Sequence, residues 1–137
     1  MLKKYKITSS CCDLIILDEF IKKNPNALKT FRYFTNRPYS IIKNQIVCNL
    51  YSNDIEYLGY GHLEKENNKI WLGIMVSDTQ VGKKYGNQIM DDLISQSDED
   101  IYLSVDKNNL PAIKLYKNKN FEIIDNKENN FIMKLKI

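Results

Sequence analysis

The sequence is poor in the residues that mark several common protein classes. It has three cysteines, Cys11, Cys12 and Cys48, an odd number with two adjacent, and no CxxC or Cys/His spacing suited to zinc. A disulfide scaffold and a metal centre are therefore excluded, and reduced thiols in a cytoplasmic protein are expected. Long hydrophobic runs are missing too. The segment Met1 to Lys6 is positive, but the apolar stretch Leu14 to Leu17 that follows is short and ends at Asp18 and Glu19, so neither a signal peptide nor a membrane span is expected. Charge of one sign is scarce: the net charge is +3, made mostly by lysines spread along the chain. No dense basic stripe points to nucleic acid, and only mild attraction to an anionic cofactor follows.

What is present suffices for one domain over residues 1–137, since 43% of the chain is hydrophobic and a single core needs neither disulfide nor metal at this length. Leu2 to Ile7 reads as a half-buried strand, and Ser10 with Asp13 three residues later reads as a capping box opening a helix that buries Leu14, Leu17 and Ile21. Asn24-Pro25 stops that helix, and Ala27 to Phe34 reads as a second, aromatic-rich helix ended by the loop Thr35 to Tyr39. The runs Ile46 to Tyr51, Ile55 to Glu64 and Ile70 to Val76 are separated by Ser52-Asn53-Asp54 and Asn67-Asn68, which predicts an antiparallel meander. Helical spacing of Ile89, Met90, Leu93 and Ile94 follows, then a strand over Ile101 to Val105, a helix over Pro111 to Asn118, and strands at Phe121 to Ile124 and Phe131 to Ile137. The order βααβββαβαββ predicts an α/β fold of the α+β type, with a mixed central sheet flanked by helices.

Between the strand ending at Val76 and the helix holding Ile89 lies Ser77-Asp78-Thr79-Gln80-Val81-Gly82-Lys83-Lys84-Tyr85-Gly86-Asn87. A glycine-bearing turn at a helix start presents unpaired backbone N–H groups and the positive end of the helix dipole, which suits a phosphate or pyrophosphate. Gly82 and Gly86 permit close backbone approach, and Lys83 and Lys84 add two cations. Neither GxxxxGK[ST] nor GxGxxG is written here, so the turn by itself fits an anion site or an ordinary helix start equally.

A second segment, from Leu103 to Phe121, distinguishes these. Together the two segments resemble the GNAT superfamily of acetyl-coenzyme A-dependent N-acetyltransferases. Its Q/R-x-x-G-x-G/A motif falls on Val81 to Gly86, and its second motif falls on Val105, Asn109, Ala112, Tyr116 and Asn120-Phe121. The element order is also the family's. Val81 stands where the family has Gln or Arg, Lys84 where it has Gly, and Asn120 where it has the glycine before Phe. At a position demanding positive φ, Lys84 costs about 1–2 kcal/mol, whereas in helical conformation its ammonium is free for a phosphate. Asn tolerates the left-handed region best among non-glycine residues.

The resemblance implies acetyl-coenzyme A held by Val81, Gly82, Lys83, Lys84, Tyr85, Gly86 and Asn87, with Asn109, Ala112 and Tyr116 from the second motif. The pantetheine arm is expected to add along Ile74, Met75 and Val76 between splayed strands, with a backbone N–H there stabilising the thioester oxygen. Tyr116 is implied as the acid that protonates the departing thiolate, although a helix-face aromatic at 116 and a plain N-cap at Asn109 are the structural alternatives. For the base, no carboxylate lies near Ile70, where some family members carry one. His62, the only histidine, has an intrinsic pKa suited to the task, and Glu64 projects to the same strand face by alternation. Arg32 and Arg37, the only arginines, flank Tyr33 and Phe34. With Trp71 they suggest an acceptor that has a ring and an anionic group, such as an amino sugar nucleotide. The expected partner is a small-molecule amine, the expected state a monomer or homodimer. A protein or peptide amine, or a coenzyme A-binding module without turnover, is the alternative.

Overall fold

A computed structural model describes residues 2–80, 82 and 84–137. Strand β1 (Lys3–Lys6) leads to helix α1 (Cys11–Lys22), two 3-10 turns (Ala27–Lys29 and Tyr39–Asn44) and the strands β2 (Gln45–Ser52), β3 (Tyr57–Glu66) and β4 (Lys69–Val76). After a 3-10 turn at Asp78–Gln80 come α2 (Tyr85–Ser95), β5 (Ile101–Asp106), α3 (Leu110–Asn118), β6 (Glu122–Asn126) and β7 (Asn130–Leu135). The strands form one sheet in the order β1-β2-β3-β4-β5-β7-β6, antiparallel except where β4 meets β5. Among the described residues no helix is long and apolar enough to cross a membrane.

Local chemistry accounts for most of these elements. The Ser10 Oγ accepts the Asp13 amide at 3.3 Å and opens α1, which is one half of the expected capping box, while the Ser10 amide donates to the Thr8 hydroxyl. The buried Asp13 carboxylate in turn accepts from the Thr8 hydroxyl and amide and from the Tyr5 hydroxyl, and these bonds hold it below the usual carboxylate range. Asn67 and Asn68, at φ 53° and 61°, make the tight turn between β3 and β4 expected of an Asn pair. Asn120 takes φ 71° after α3, while the Phe121 amide donates back to the Tyr116 carbonyl at 3.0 Å and closes the helix end.

The second helix expected over Ala27 to Phe34 is not formed. The chain makes only the short turn at Ala27–Lys29, whose start is held by Asp78 accepting the Asn26 and Ala27 amides. From Phe31 onward the rings of Phe31, Tyr33 and Phe34 all face one wall, at 5.4 Å (Phe31–Tyr60), 4.4 Å (Tyr33–His62) and 5.7 Å (Phe34–Tyr60). The chain turns instead at residues 33–35, where the Thr35 amide donates to the Arg32 carbonyl at 3.1 Å, and this turn brings the adjacent Tyr33 and Phe34 rings to the same wall.

The sheet has a core on each face. Ile89, Met90 and Leu93 of α2 and Ile113 of α3 pack on one side, and Leu17, Phe20 and Ile21 of α1 on the other. Strand β3 sorts its residues by alternation. Tyr60, His62 and Glu64 face the α1 side, while Gly61 faces α2, where an added Cβ would lie 2.9 Å from Leu93 Cδ1. That glycine lets α2 lie close on the sheet.

Candidate active site

Strands β4 and β5 pair only at Ile70↔Ile101 and Trp71↔Tyr102. Beyond that point β5 is held by β7 all the way to Asp106↔Asn130, and β4 by β3 as far as Gly59↔Val76. The two strands therefore diverge, and the β5-facing edge of β4 from Leu72 to Val76 has no strand partner among the described residues. Unpaired N–H and C=O groups on such an edge are a template for an extended chain. The wedge opens into a cleft of about 530 Å³ whose walls include His62, Glu64, Trp71, Gly73, Ile74 and Tyr116. A larger hollow of about 730 Å³ lies between α1 and the β2–β3 turn, lined by Glu19, Asp54 and Glu56, and none of the expected site residues faces it. The chemistry-bearing side chains converge on the smaller cleft.

At one end of the wedge α2 begins. Lys84 is its N-cap at φ 66°, and its side chain makes no capping bond. Gly82 has φ 84° with open space where a side chain would stand. The amides of Tyr85, Gly86 and Asn87 occupy the first turn, where a helix has no partners for its N–H groups. A Cβ on Gly86 would sit 3.5 Å from Val76 Cγ2 and 3.4 Å from Leu115 Cδ2, which places this helix start against the end of β4 and beside α3. Val81 and Lys83 lie outside the described residues. Donors at a helix N-terminus, continuous with an unpaired strand edge, fit a pyrophosphate joined to an extended arm.

Tyr116 lies on α3, 8% exposed. It lines the cleft, and its hydroxyl makes no hydrogen bond among the described residues. Burial pushes its phenol up to about 12, which keeps it protonated. Asn109 also lines the cleft and caps α3, with Oδ1 accepting the Ala112 amide at 3.4 Å. Its capping role is thus realised whatever else it does. Ala112 packs against the core, and Met75 is buried on the α1 side, so these two contribute backbone and packing rather than reactive groups.

The two base candidates differ sharply. His62 is 3% exposed, its Nδ1 is 2.7 Å from the Tyr60 hydroxyl, and desolvation, with Arg37 nearby, lowers its pKa to about 3. A neutral imidazole that resists protonation so strongly is a poor acceptor for an ammonium proton. Glu64 is half-buried at the cleft wall and accepts from the Tyr33 hydroxyl. Burial and that bond push the Tyr33 phenol up to about 12.

Both arginines are engaged within the protein. Arg32 forks onto Asp106 at 2.9 and 2.8 Å and also donates to the Lys29 carbonyl, tying the segment after the first 3-10 turn to the end of β5. The Arg37 guanidinium sits 4.4 Å from the centre of the Tyr33 ring and donates to the Tyr33 carbonyl at 2.8 Å. The Arg32 fork is closed on Asp106, whereas Arg37 engages a single N–H with a neutral carbonyl and, among the described residues, meets no carboxylate at the cleft wall. Trp71 lies beside Tyr102, with ring centres 5.6 Å apart and planes tilted by 39°, and is register-paired with Glu64. The sequence does not single out Asp106, Tyr60 or Gly73 as site residues. Only Gly73 carries a signal there, as a lone glycine within an apolar strand.

The model of the acetyltransferase (GNAT) family matches residues 14–121. No protein among those of curated function matches the sequence. Among solved structures, the chain is similar to the PaiA N-acetyltransferase from Thermoplasma acidophilum in complex with coenzyme A, with 17% identity, TM-score 0.76, and coverage of 100% of this chain and 99% of that one. An acetyltransferase from Bacillus subtilis, also in complex with coenzyme A, gives 14% identity, TM-score 0.78, and coverage of 100% and 99%. The ribosomal-protein-S18-alanine N-acetyltransferase from Escherichia coli gives 14% identity, TM-score 0.72, and coverage of 100% and 94%. Identities at this level show a shared fold.

Proposed function

Since this chain belongs to the acetyltransferase (GNAT) family and is an acetyl-coenzyme A-dependent transferase, we propose that it acetylates the primary amine of a small molecule by direct attack. The observation that carries the reading is the wedge between β4 and β5, with Tyr116 lining the cleft it opens into and the start of α2 at its end.

When bound, acetyl-coenzyme A supplies the thioester carbonyl carbon and a thiolate leaving group. The first-turn amides of α2, from Tyr85 to Asn87, bind the pyrophosphate, with Gly82 and Lys84 beside it. The backbone of Ile74 to Val76 orients the pantetheine arm, and one of its N–H groups polarises the thioester carbonyl. Glu64 takes a proton from the acceptor ammonium, directly or through water, so that the free amine attacks. A C–N bond forms and the C–S bond breaks. Tyr116 delivers its proton to the departing sulfur and is reprotonated by the second proton that the acylated nitrogen sheds, giving coenzyme A as a thiol and the acceptor as an N-acetyl amide. His62 stays neutral and neither takes nor gives a proton in this scheme.

Tyr33 and Trp71 give the acceptor end an aromatic wall, which suits a compact ring or an apolar stem. An amino sugar nucleotide retains those walls, but of the two arginines its anion would meet only Arg37 is without a carboxylate partner among the described residues, since Arg32 is paired with Asp106. The reading therefore rests at a primary amine. A peptide amine is the second reading, favoured by the likeness to the ribosomal-protein-S18-alanine N-acetyltransferase and opposed by the aromatic wall. A thiol-release screen with amino sugars, polyamines, amino acids and peptides tests both. Release that depends on a small amine supports the first reading, and release only with peptides replaces it with the second. Binding of acetyl-coenzyme A with no release across the panel marks a binding module instead.

A further inference from the structure

We infer that His62 is a positioning residue whose imidazole fills the space over Gly73 that a side chain would otherwise take, and so sets the backbone of β4 at the edge that receives the acetyl group. The inference rests on the proposed use of that edge. His62 and Gly73 are register partners in β3 and β4, and a Cβ built on Gly73 would lie 2.4, 2.5 and 3.0 Å from Cε1, Nε2 and Nδ1 of the ring. Three atoms of one rigid group occupy that space. Gly73 does not take the positive φ that would call for glycine on backbone grounds, as Gly82 does, so its missing side chain serves space alone.

Its neighbours hold the ring in place. The Tyr60 hydroxyl holds Nδ1 at 2.7 Å, the Tyr33 ring centre is 4.4 Å away and the Phe31 ring centre 6.2 Å. Tyr60 is anchored in turn by Gln45 at 3.4 Å and the Cys48 thiol at 3.8 Å. The groups facing His62 are thus the Tyr60 and Tyr33 phenols, the Cys48 thiol opposite it in β2, the Arg37 guanidinium and, along β3, Glu64. From Leu72 onward β4 has no β5 neighbour to hold it, so a ring seated on Gly73 supplies support beside Ile74 that a paired strand gives elsewhere. An edge displaced by even 1 Å loses rate steeply.

His62 is the only histidine, so its imidazole nitrogens give unambiguous NMR signals in the ¹⁵N-labelled protein. The ring is expected to keep one neutral tautomer from pH 8 to about pH 5, and its shifts to move in Gly73→Ala; titration near the ordinary histidine value overturns the inference. In thiol release with the fastest amine of the panel above, Gly73→Ala and His62→Ala each lower kcat about tenfold, with the KM for acetyl-coenzyme A within about twofold. The double variant is no slower than His62→Ala, because the new methyl enters the space the ring has left. Multiplied losses in the double variant, or an ionisation that disappears from the pH–rate profile of His62→Ala, overturn it. If Gly73→Ala does not fold, recovery of folding on adding His62→Ala supports the packing, and continued misfolding opposes it. Absence of thiol release in the unaltered protein defeats the acetyltransfer reading, while the NMR result still decides the His62–Gly73 packing.

Discussion

Replacing Lys84 with glycine isolates the backbone of the turn before α2. Lys84 is held at φ 66° as the N-cap of that helix, its side chain is exposed and it caps nothing. The left-handed region costs an L-residue about 1–2 kcal/mol. Glycine escapes that cost but loses about 0.5–1 kcal/mol through its freer unfolded chain. The net gain in stability is about 0.5–1 kcal/mol, a rise in Tm of about 2–4 °C for a chain of this size. A urea titration reads it as a higher midpoint at unchanged slope. Lys84→Ala is the control, since it retains the strained Cβ and removes only a cation from the positive end of the helix dipole, a gain of about 0.3 kcal/mol. If alanine stabilises as much as glycine, the effect belongs to charge and the backbone argument fails.

Tyr116→Phe is expected to lower kcat about 10²-fold with little change in the KM for acetyl-coenzyme A, and unchanged turnover removes Tyr116 from the acid role. Acid stability follows from His62: its pKa is about 3 folded against 6.5 in the unfolded chain, so the unfolded state binds the extra proton and stability falls as pH drops below 6.5. Relative to His62→Gln, the protein is expected to lose about 3 kcal/mol more between pH 7 and pH 4, measured by urea unfolding across that range. Parallel stability curves for the two proteins refute a neutral buried ring. Asp106→Asn removes the charge from the Arg32 fork and loosens the segment that carries Phe31 and Tyr33. The acceptor KM should rise while that for acetyl-coenzyme A stays, and the reverse pattern contradicts the placement of this segment at the acceptor end.

Features decided by neighbours in sequence were legible without the structure. The Ser10 cap, the Asn67-Asn68 turn, the meander and the positive-φ Asn120 all rest on contacts within a few residues. So did the placing of Tyr116 and Asn109 on one helix, because the spacing of the second motif carries it. Features made by distant packing were not. Ala27 to Phe34 reads as helical by composition, yet its rings are drawn to Tyr60 and His62 across the fold. Arg32 looks like an open fork until the end of β5, 74 positions along the chain, brings Asp106 to it. His62 looks like a base because its intrinsic pKa is suitable, and only burial beside Tyr60 and Arg37 reverses that. In each case the deciding partner came from another element.

The most direct test of the account is a crystal structure of the protein with coenzyme A. The pantetheine arm is expected along the β4 edge between Leu72 and Val76, the pyrophosphate on backbone amides at the start of α2, and the thiol near the Tyr116 hydroxyl. A pyrophosphate held away from the start of α2, or an arm that leaves the wedge between β4 and β5 empty, contradicts it.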